Sequence, residues 1–321
     1  MSVNNAEEFL AKPLMLLLKS LFIALGLLTT QIACAAQNIP SSSSACSKQD
    51  QPGILTSPLL SVVTLNMAHG RKDAFNQMFQ KTSTTRANLQ DISNFLSDSG
   101  ADLVALQEAD GPSRWSGKFD HVEFVSENSA YPCNIHARHA KKYMYDFGTA
   151  LLSSVPFTNE LEYTFEPSPP TTNKGFSMGQ VRWNPDGRLP EPVTVSVISV
   201  HLDFSRKKVR DAQVAEMRAV LADVEPPVII MGDFNSDLTK ERSALKAIVE
   251  GGLFKVYKPE STLLGTYKSG THRLDWILIS NDLDFVTYEV PQAILSDHQP
   301  VQATLSLVGK PNELLDSKLS E

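Results

Sequence analysis

The chain has 321 residues, of which 42% are hydrophobic, 20% charged and 8% aromatic. That balance excludes a disordered, collagenous or multi-span membrane protein, and the length fits one α/β domain of about 250 residues behind a leader. With 29 Lys and Arg against 36 Asp and Glu the net charge is −7, so polyanion binding has no general long-range support and must be local.

Residues 14–32 read LMLLLKSLFIALGLLTTQI, an apolar run broken by Lys19, which is either a membrane span or a signal sequence. The small residues Ala33-Cys34-Ala35 and the Ser-rich stretch beyond them favour a leader over 1–35 and a linker over 36–58. Cys34 resembles the acylated cysteine of a bacterial lipoprotein, although Gln31 stands where an apolar residue is usual. Two outcomes stay open: acylation of Cys34 with membrane association, or plain cleavage after Ala35. The expected location is outside the cytoplasm, as a periplasmic or outer-membrane-anchored lipoprotein, alternatively secreted. In such an oxidising compartment Cys46 and Cys133 either join or stay as free thiols.

From there the elements follow in order. Residues 60–66 form a β-branched run ending at Asn66, a strand followed by a loop at Gly70. Leu89, Ile92, Phe95 and Leu96 predict a helix over 85–97 that stops near Gly100, and 102–106 is a strand ending at Gln107-Glu108. Residues 148–153 predict a strand closed by Pro156, and two long loops, 111–147 and 156–178, are expected to wall a site. A strand over 193–200 ends at His201, and a helix over 205–224 presents Val209, Ala212, Met217, Val220 and Leu221.

Residues 228–231 read as a buried strand ending in Gly232-Asp233-Phe234-Asn235, followed by a short helix over 239–249. Strands over 274–279, 285–290 and 300–307 complete a catalytic domain of 59–308, with a flexible tail over 309–321. Alternating strands and helices followed by hairpin-like strands argue for an α/β sandwich with mixed sheets rather than a parallel barrel.

Asn66, Glu108, His201 and Asp233 each follow a separate hydrophobic strand, and strand ends line the ligand crevice in such folds. Singly, each is an ordinary turn former or helix cap. Together with Asn235, Asp275, Asp297 and His298 they are not explained that way. Three Asp, one Glu, two Asn and two His make a set rich in hard oxygen donors, suited to Mg²⁺, Mn²⁺ or Ca²⁺. His69 could touch substrate or face solvent. The basic stretches 136–142 and 206–210 could grip phosphates or form solvated faces.

The blocks TLNMAHG (64–70), LVALQEAD (103–110), ISVHLDF (198–204), VIIMGDFNSD (228–237), RLDWILIS (273–280) and LSDHQPV (295–301) resemble, in this order, the endonuclease/exonuclease/phosphatase superfamily. One departure is Ser154, where the family often carries Arg two residues before proline. The resemblance implies a four-layer α/β sandwich, two central mixed β-sheets flanked by helices, with the site at one edge. It implies Glu108 as the principal metal carboxylate, supported by Asn66 and Asp297. Asp233 would orient or deprotonate the attacking water, and Asn235 would hold the water or a phosphoryl oxygen in line. His298 would be an imidazole beside the phosphate, its tautomer fixed by Asp275, and His201 the facing histidine of the deoxyribonuclease and sphingomyelinase branches.

The expected activity is metal-dependent hydrolysis of a phosphate ester carried on a small molecule, a lipid headgroup or a nucleic acid. An extracytoplasmic endonuclease or a sphingomyelinase-like phospholipid hydrolase are the alternatives, with a catalytically silent envelope binding protein behind them. No protein partner is expected.

Overall fold

The computed structural model describes Cys46 and residues 53–309; the expected leader, the Cys34 acylation site and the tail beyond Gly309 lie outside the described residues. Strands β1 (Ile54–Leu55), β2 (Leu60–Asn66), β3 (Leu103–Asp110), β4 (Cys133–Lys141), β5 (Asp146–Ser153), β6 (Thr158–Thr164) and β7 (Gly175–Trp183) are followed by β8 (Val193–His201), β9 (Val228–Asp233), β10 (Phe254–Val256), β11 (Asp275–Ser280), β12 (Leu283–Glu289) and β13 (Val301–Leu307). Helices α1 (Thr82–Ser99), α2 (His121–Glu127), α3 (Lys207–Val220) and α4 (Lys246–Val249) connect them.

Two mixed sheets result. One runs β1-β7-β8-β9-β11-β10, with β6 also paired to β7, and the other runs β12-β13-β2-β3-β5-β4. The apolar runs read as strands because both of their faces are covered. Val62, Leu103, Val197, Ile229 and Ile277 fill the space between the sheets. Their chain neighbours Val63 and Val104 turn outward with Leu89, Ile92 and Leu96 of α1, while Ile198, Ile230 and Leu278 pack with Val214 and Met217 of α3. Helix, sheet, sheet, helix is the four-layer sandwich expected from the sequence.

Several boundaries differ, each for a local reason. Helix α1 begins three residues before the apolar pattern does, because its first turn, Thr82-Ser83-Thr84, is polar and exposed; it ends at Gly100, which takes the left-handed conformation (φ 60°) that glycine adopts without a Cβ penalty. The buried face of α3 is Gln213, Val214 and Met217, and Ala212 is exposed. The helix expected over 239–249 shrinks to α4. Asp237 Oδ1 accepts from the amide and hydroxyl of Thr239, and Ser236 Oγ accepts from the amide of Ala244, so side chains compete with the helical ladder. The supposed loop 111–147 holds α2, β4 and the start of β5, and 156–178 holds β6 and the start of β7. β4 reads CNIHARHAK, with Arg138 exposed and His136 half-buried, so its period of two is carried by too few large apolar residues to show.

The linker expected over 36–58 gives up Ile54 and Leu55, which pair with Arg182 and Trp183. Cys46 forms a disulfide with Cys133, the first residue of β4, which resolves the two outcomes left open by the sequence. No helix among the described residues is long and apolar enough to cross a membrane.

His139 of β4 is buried and stands 3.0 Å from Thr164 Oγ1 and 2.9 Å from Thr149 Oγ1. Burial, with His136 and Lys174 nearby, lowers its pKa to about 3 from 6.5. Between those values the unfolded chain binds a proton that the folded chain refuses, so stability falls as pH drops from 6.5 toward 3, by up to about 1.4 kcal/mol per pH unit. Urea unfolding of His139→Gln across this window is expected to show a slope shallower by about one proton than the parent's; equal slopes would clear His139 as the source.

Candidate active site

The strand register gathers the polar residues at one edge of the sandwich. His201, Asp233 and Asp275 are Cα partners in a single row across β8, β9 and β11. In the other sheet Asn66 is the partner of Gln107, one residue before Glu108. Asn66 Nδ2 crosses between the sheets to donate to Asp233 Oδ2 at 3.0 Å, and its Oδ1 accepts from the amide of Ala68. The two halves of the site are therefore locked to each other.

Glu108 does not simply follow its strand. The β3–β5 pairing shifts between Gln107 and Ala109, and Glu108 is the extra residue, at φ 48°. Gln107 points between the sheets, donating to Ser199 Oγ at 3.0 Å. Regular alternation would send Glu108 to the helix side, and the bulge re-aims it into the cleft. Asn235 is also left-handed, at φ 48°. Its amide N–H donates to Asp233 Oδ1 at 2.8 Å and its Nδ2 to the carbonyl of Leu202 at 3.0 Å. Gly232 precedes them at φ 145° because a Cβ there would lie 2.0 Å from the carbonyl oxygen of Val200. Non-glycine residues held at positive φ cluster where a site fixes its side chains.

Asn66, Glu108, His201, Asp233, Asn235, Asp297 and His298 line one cleft of about 390 Å³. Asp275 is fully buried behind it, with Oδ2 2.8 Å from His298 Nδ1 and 2.6 Å from Thr266 Oγ1. A larger cavity of about 600 Å³ lies on the outer side of the first sheet between α3 and α4. It is mainly apolar and contains none of these residues, so the smaller cleft is the candidate site.

The charges in the cleft are set by neighbours. Burial would raise the Glu108 carboxyl, but the cationic His69, Lys174 and His298 around it hold it at about 2. Burial and then the Asp275 charge raise Asp233 above the usual carboxylate range. Burial would lower His298, yet Asp275, Asp233 and Asp297 together lift it to about 10, making it an imidazolium at neutral pH. Burial and the Lys174 ammonium, 3.2 Å from its Nε2, push His201 down, so it stays neutral.

The donor set fits a hard divalent cation. Glu108 is ionised and part-exposed to the cleft, and Asn66 lines the same cleft, its amide oxygen accepting from the amide of Ala68. Asp297 has one oxygen held by Arg71 at 2.6 Å, so it brings less than a free carboxylate. Asp233, Asp275 and His298 also carry ligand-type atoms within 4.8 Å of one another. There, however, Asp275 Oδ2 and His298 Nδ1 are already joined, which favours Glu108 as the principal ligand.

Three contributors, Lys174, Arg71 and Tyr267, escape the sequence reading, which left His69 either touching substrate or facing solvent. His69 neither faces solvent nor stands free: it is buried at φ 55°, with Nδ1 3.0 Å from Asp110 Oδ1 and Nε2 3.3 Å from Glu108 Oε2. Lys174, just before β7, is buried against His201. Arg71 and Tyr267 line the cleft. Recognising β7 as a strand would have brought Lys174 to the edge, whereas nothing local marks Arg71. None of the residues in the basic stretches 136–142 and 206–210 lines the cleft. Arg138 and Lys141 meet Asp146, Lys207 meets Asp211, and Arg210 donates to the carbonyl of Asp203.

A family model described as Endonuclease/Exonuclease/phosphatase family matches residues 63–298. No curated protein matches the chain. Among solved structures it is similar to an endonuclease/exonuclease/phosphatase from Beutenbergia cavernae DSM 12333, at 17% identity and TM-score 0.58 over 79% of this chain and 72% of that one. A mannosyl-6-phosphatase from Bacteroides thetaiotaomicron VPI-5482 matches at 16% identity and TM-score 0.57, over 77% of this chain and 100% of that one. The human Nocturnin catalytic domain with bound sulfate anion matches at 18% and 0.56, over 79% and 97%. At these identities the likeness is one of fold.

Proposed function

The chain belongs to the endonuclease/exonuclease/phosphatase family, whose members hydrolyse phosphate esters, and on that footing we propose that it is an exported, divalent-metal-dependent phosphoesterase. It cleaves a phosphodiester or phosphomonoester by in-line attack of an activated water. One observation carries the reading: an ionised acid, a carboxylate of raised proton affinity and an imidazolium, Glu108, Asp233 and His298, share one cleft.

Glu108, with Asn66 and Asp297, would hold Mg²⁺ (or Mn²⁺, with Ca²⁺ also fitting the oxygen donors), which when bound neutralises charge on the phosphate and the departing oxygen. Asp233 accepts the proton of the attacking water, its position fixed by Asn66 and by the amide of Asn235. The water oxygen bonds to phosphorus as the ester P–O bond breaks, the leaving oxygen takes a proton from solvent water, and Asp233 afterwards releases the proton it accepted. His298 donates through Nε2 to a phosphoryl oxygen, since its Nδ1–H is given to Asp275. His201, kept neutral, serves as a fixed hydrogen-bonding group rather than a proton store, and Asn235 aligns water or phosphoryl oxygen.

Assay of the protein with Mg²⁺ or Mn²⁺ against bis-p-nitrophenyl phosphate, plasmid DNA and sphingomyelin tests the assignment. Metal-dependent turnover of the first supports it, and DNA cleavage would move the reading to a nuclease. No turnover across a wider ester panel would leave a binding protein. Glu108→Gln is expected to raise the Mg²⁺ concentration needed for half-maximal rate by at least about tenfold. An unchanged titration would remove Glu108 from the ligand set.

A further inference from the structure

Most of the large hydrophobic side chains left exposed among the described residues stand on loops at the cleft edge. The exceptions, Ile54, Leu253 and Val308, lie at the opposite edge. Phe75 is 98% exposed and Phe79 86% on the loop after β2, and Tyr143 is 82% exposed on the β4–β5 turn. Leu263 and Ile294 are exposed on the loops before β11 and β13, and Phe204 lines the cleft itself. Scattered exposed apolar residues are ordinary, but a set gathered on one edge around a polar cleft marks an interaction surface.

The loops are tied together. Lys72 bridges to Ser296, Tyr267 to His298, and Arg71 to Asp297. The first loop is also braced from within, since Asn76 Oδ1 accepts from the amide of Met78 and Gln80 Nε2 donates to the carbonyl of Gly70. Phe75 and Phe79 are thus presented outward from a fixed frame. Cations predominate beside them although the chain is acidic overall at −7. Arg71 and Lys72 are held by Asp297 and Asp91, but Lys81 follows Phe79, Lys142 precedes Tyr143, and Arg114 lies 6.0 Å from the Tyr143 ring. Aromatic residues interleaved with Lys and Arg suit the boundary between anionic headgroups and acyl chains.

We propose that this rim docks onto a phospholipid surface, so that the phosphate ester entering the cleft is that of a lipid headgroup. The inference rests on the phosphoesterase reading for its chemistry and on the rim for its substrate class. Docking brings the apolar ring to the acyl boundary and leaves the polar cleft at headgroup depth.

The test compares the full chain with its Phe75→Ser, Phe79→Ser double variant on phosphatidylcholine vesicles with and without phosphatidylglycerol. Both carry the same N-terminal segment, so any anchoring by residues 14–32 or Cys34 is common to them. The double variant is expected to partition at least about tenfold more weakly and to hydrolyse vesicle lipid correspondingly more slowly. Its turnover of soluble bis-p-nitrophenyl phosphate should equal the parent's. Phosphatidylglycerol should strengthen parent binding. Equal partition of the two proteins, or no binding by the parent, overturns the proposal and leaves the rim to a protein partner. Phe75→Trp gives a second readout that does not depend on the double variant folding: its indole emission should shift to the blue on adding vesicles, and no shift counts against docking. Loss of soluble-diester turnover in the parent would instead sink the phosphoesterase reading, leaving the vesicle result to stand by itself.

Discussion

Asp233→Asn is expected to lower kcat on a soluble phosphodiester by roughly 10²- to 10⁴-fold while the protein stays folded. Asparagine keeps the shape and one oxygen for the amide of Asn235, but it cannot take a proton from water. It also removes a charge that the fold disfavours, because burial and Asp275 raise the Asp233 carboxyl. The melting temperature should therefore change little, since relief of that charge offsets the loss of the acceptor for Asn66 Nδ2. That combination separates a lost reaction from a lost structure: parent-like kcat would remove Asp233 as proton acceptor, and a fall in both quantities would point to a structural role.

His298→Ala is expected to reduce kcat by about 10²- to 10³-fold, the range for removing a donor aimed at developing charge. Unlike the first variant it should also destabilise, by about 3–5 kcal/mol, because a buried carboxylate loses its cation. Asp275 is fully buried, and its Oδ1 has no hydrogen-bond partner even when His298 is present. Adding Asp275→Asn to His298→Ala should recover much of the stability and none of the rate, a cycle that separates positioning from chemistry. The pH dependence has a definite sign. The folded pKa of His298 is raised from 6.5 to about 10, so its contribution is full below pH 6.5 and is lost as pH rises toward 10. In chelator, the parent's stability should decline across that window more steeply than that of His298→Ala.

Much of the site is visible along the chain because strands buried on both faces carry no ionisable or carboxamide side chain until they reach the edge, where the first such residue declares itself. Asn66, His201 and Asp233 are found that way, each as the last residue of its strand. Glu108 fits the same pattern for a different reason, since β3 continues to Asp110 and a bulge turns the side chain. Lys174 and the placement of His69 are hidden because their partners lie on other strands. Lys174 meets His201 and His69 meets Glu108 and Asp110 through space, and no local periodicity encodes such meetings. The edge strands β4 and β6 are hidden as well, since a strand with one exposed face carries half the apolar signal.

Residue order alone decided the layered α/β class, the chemical character of the polar set and the family, because burial on both faces and the spacing of rare polar residues are properties of the chain itself. Tertiary structure alone decided which oxygens face the cleft, that His298 is charged while His201 is neutral, and that the exposed aromatics gather on the cleft side. Those properties depend on distance and dielectric between groups from different strands, and a one-dimensional pattern contains neither.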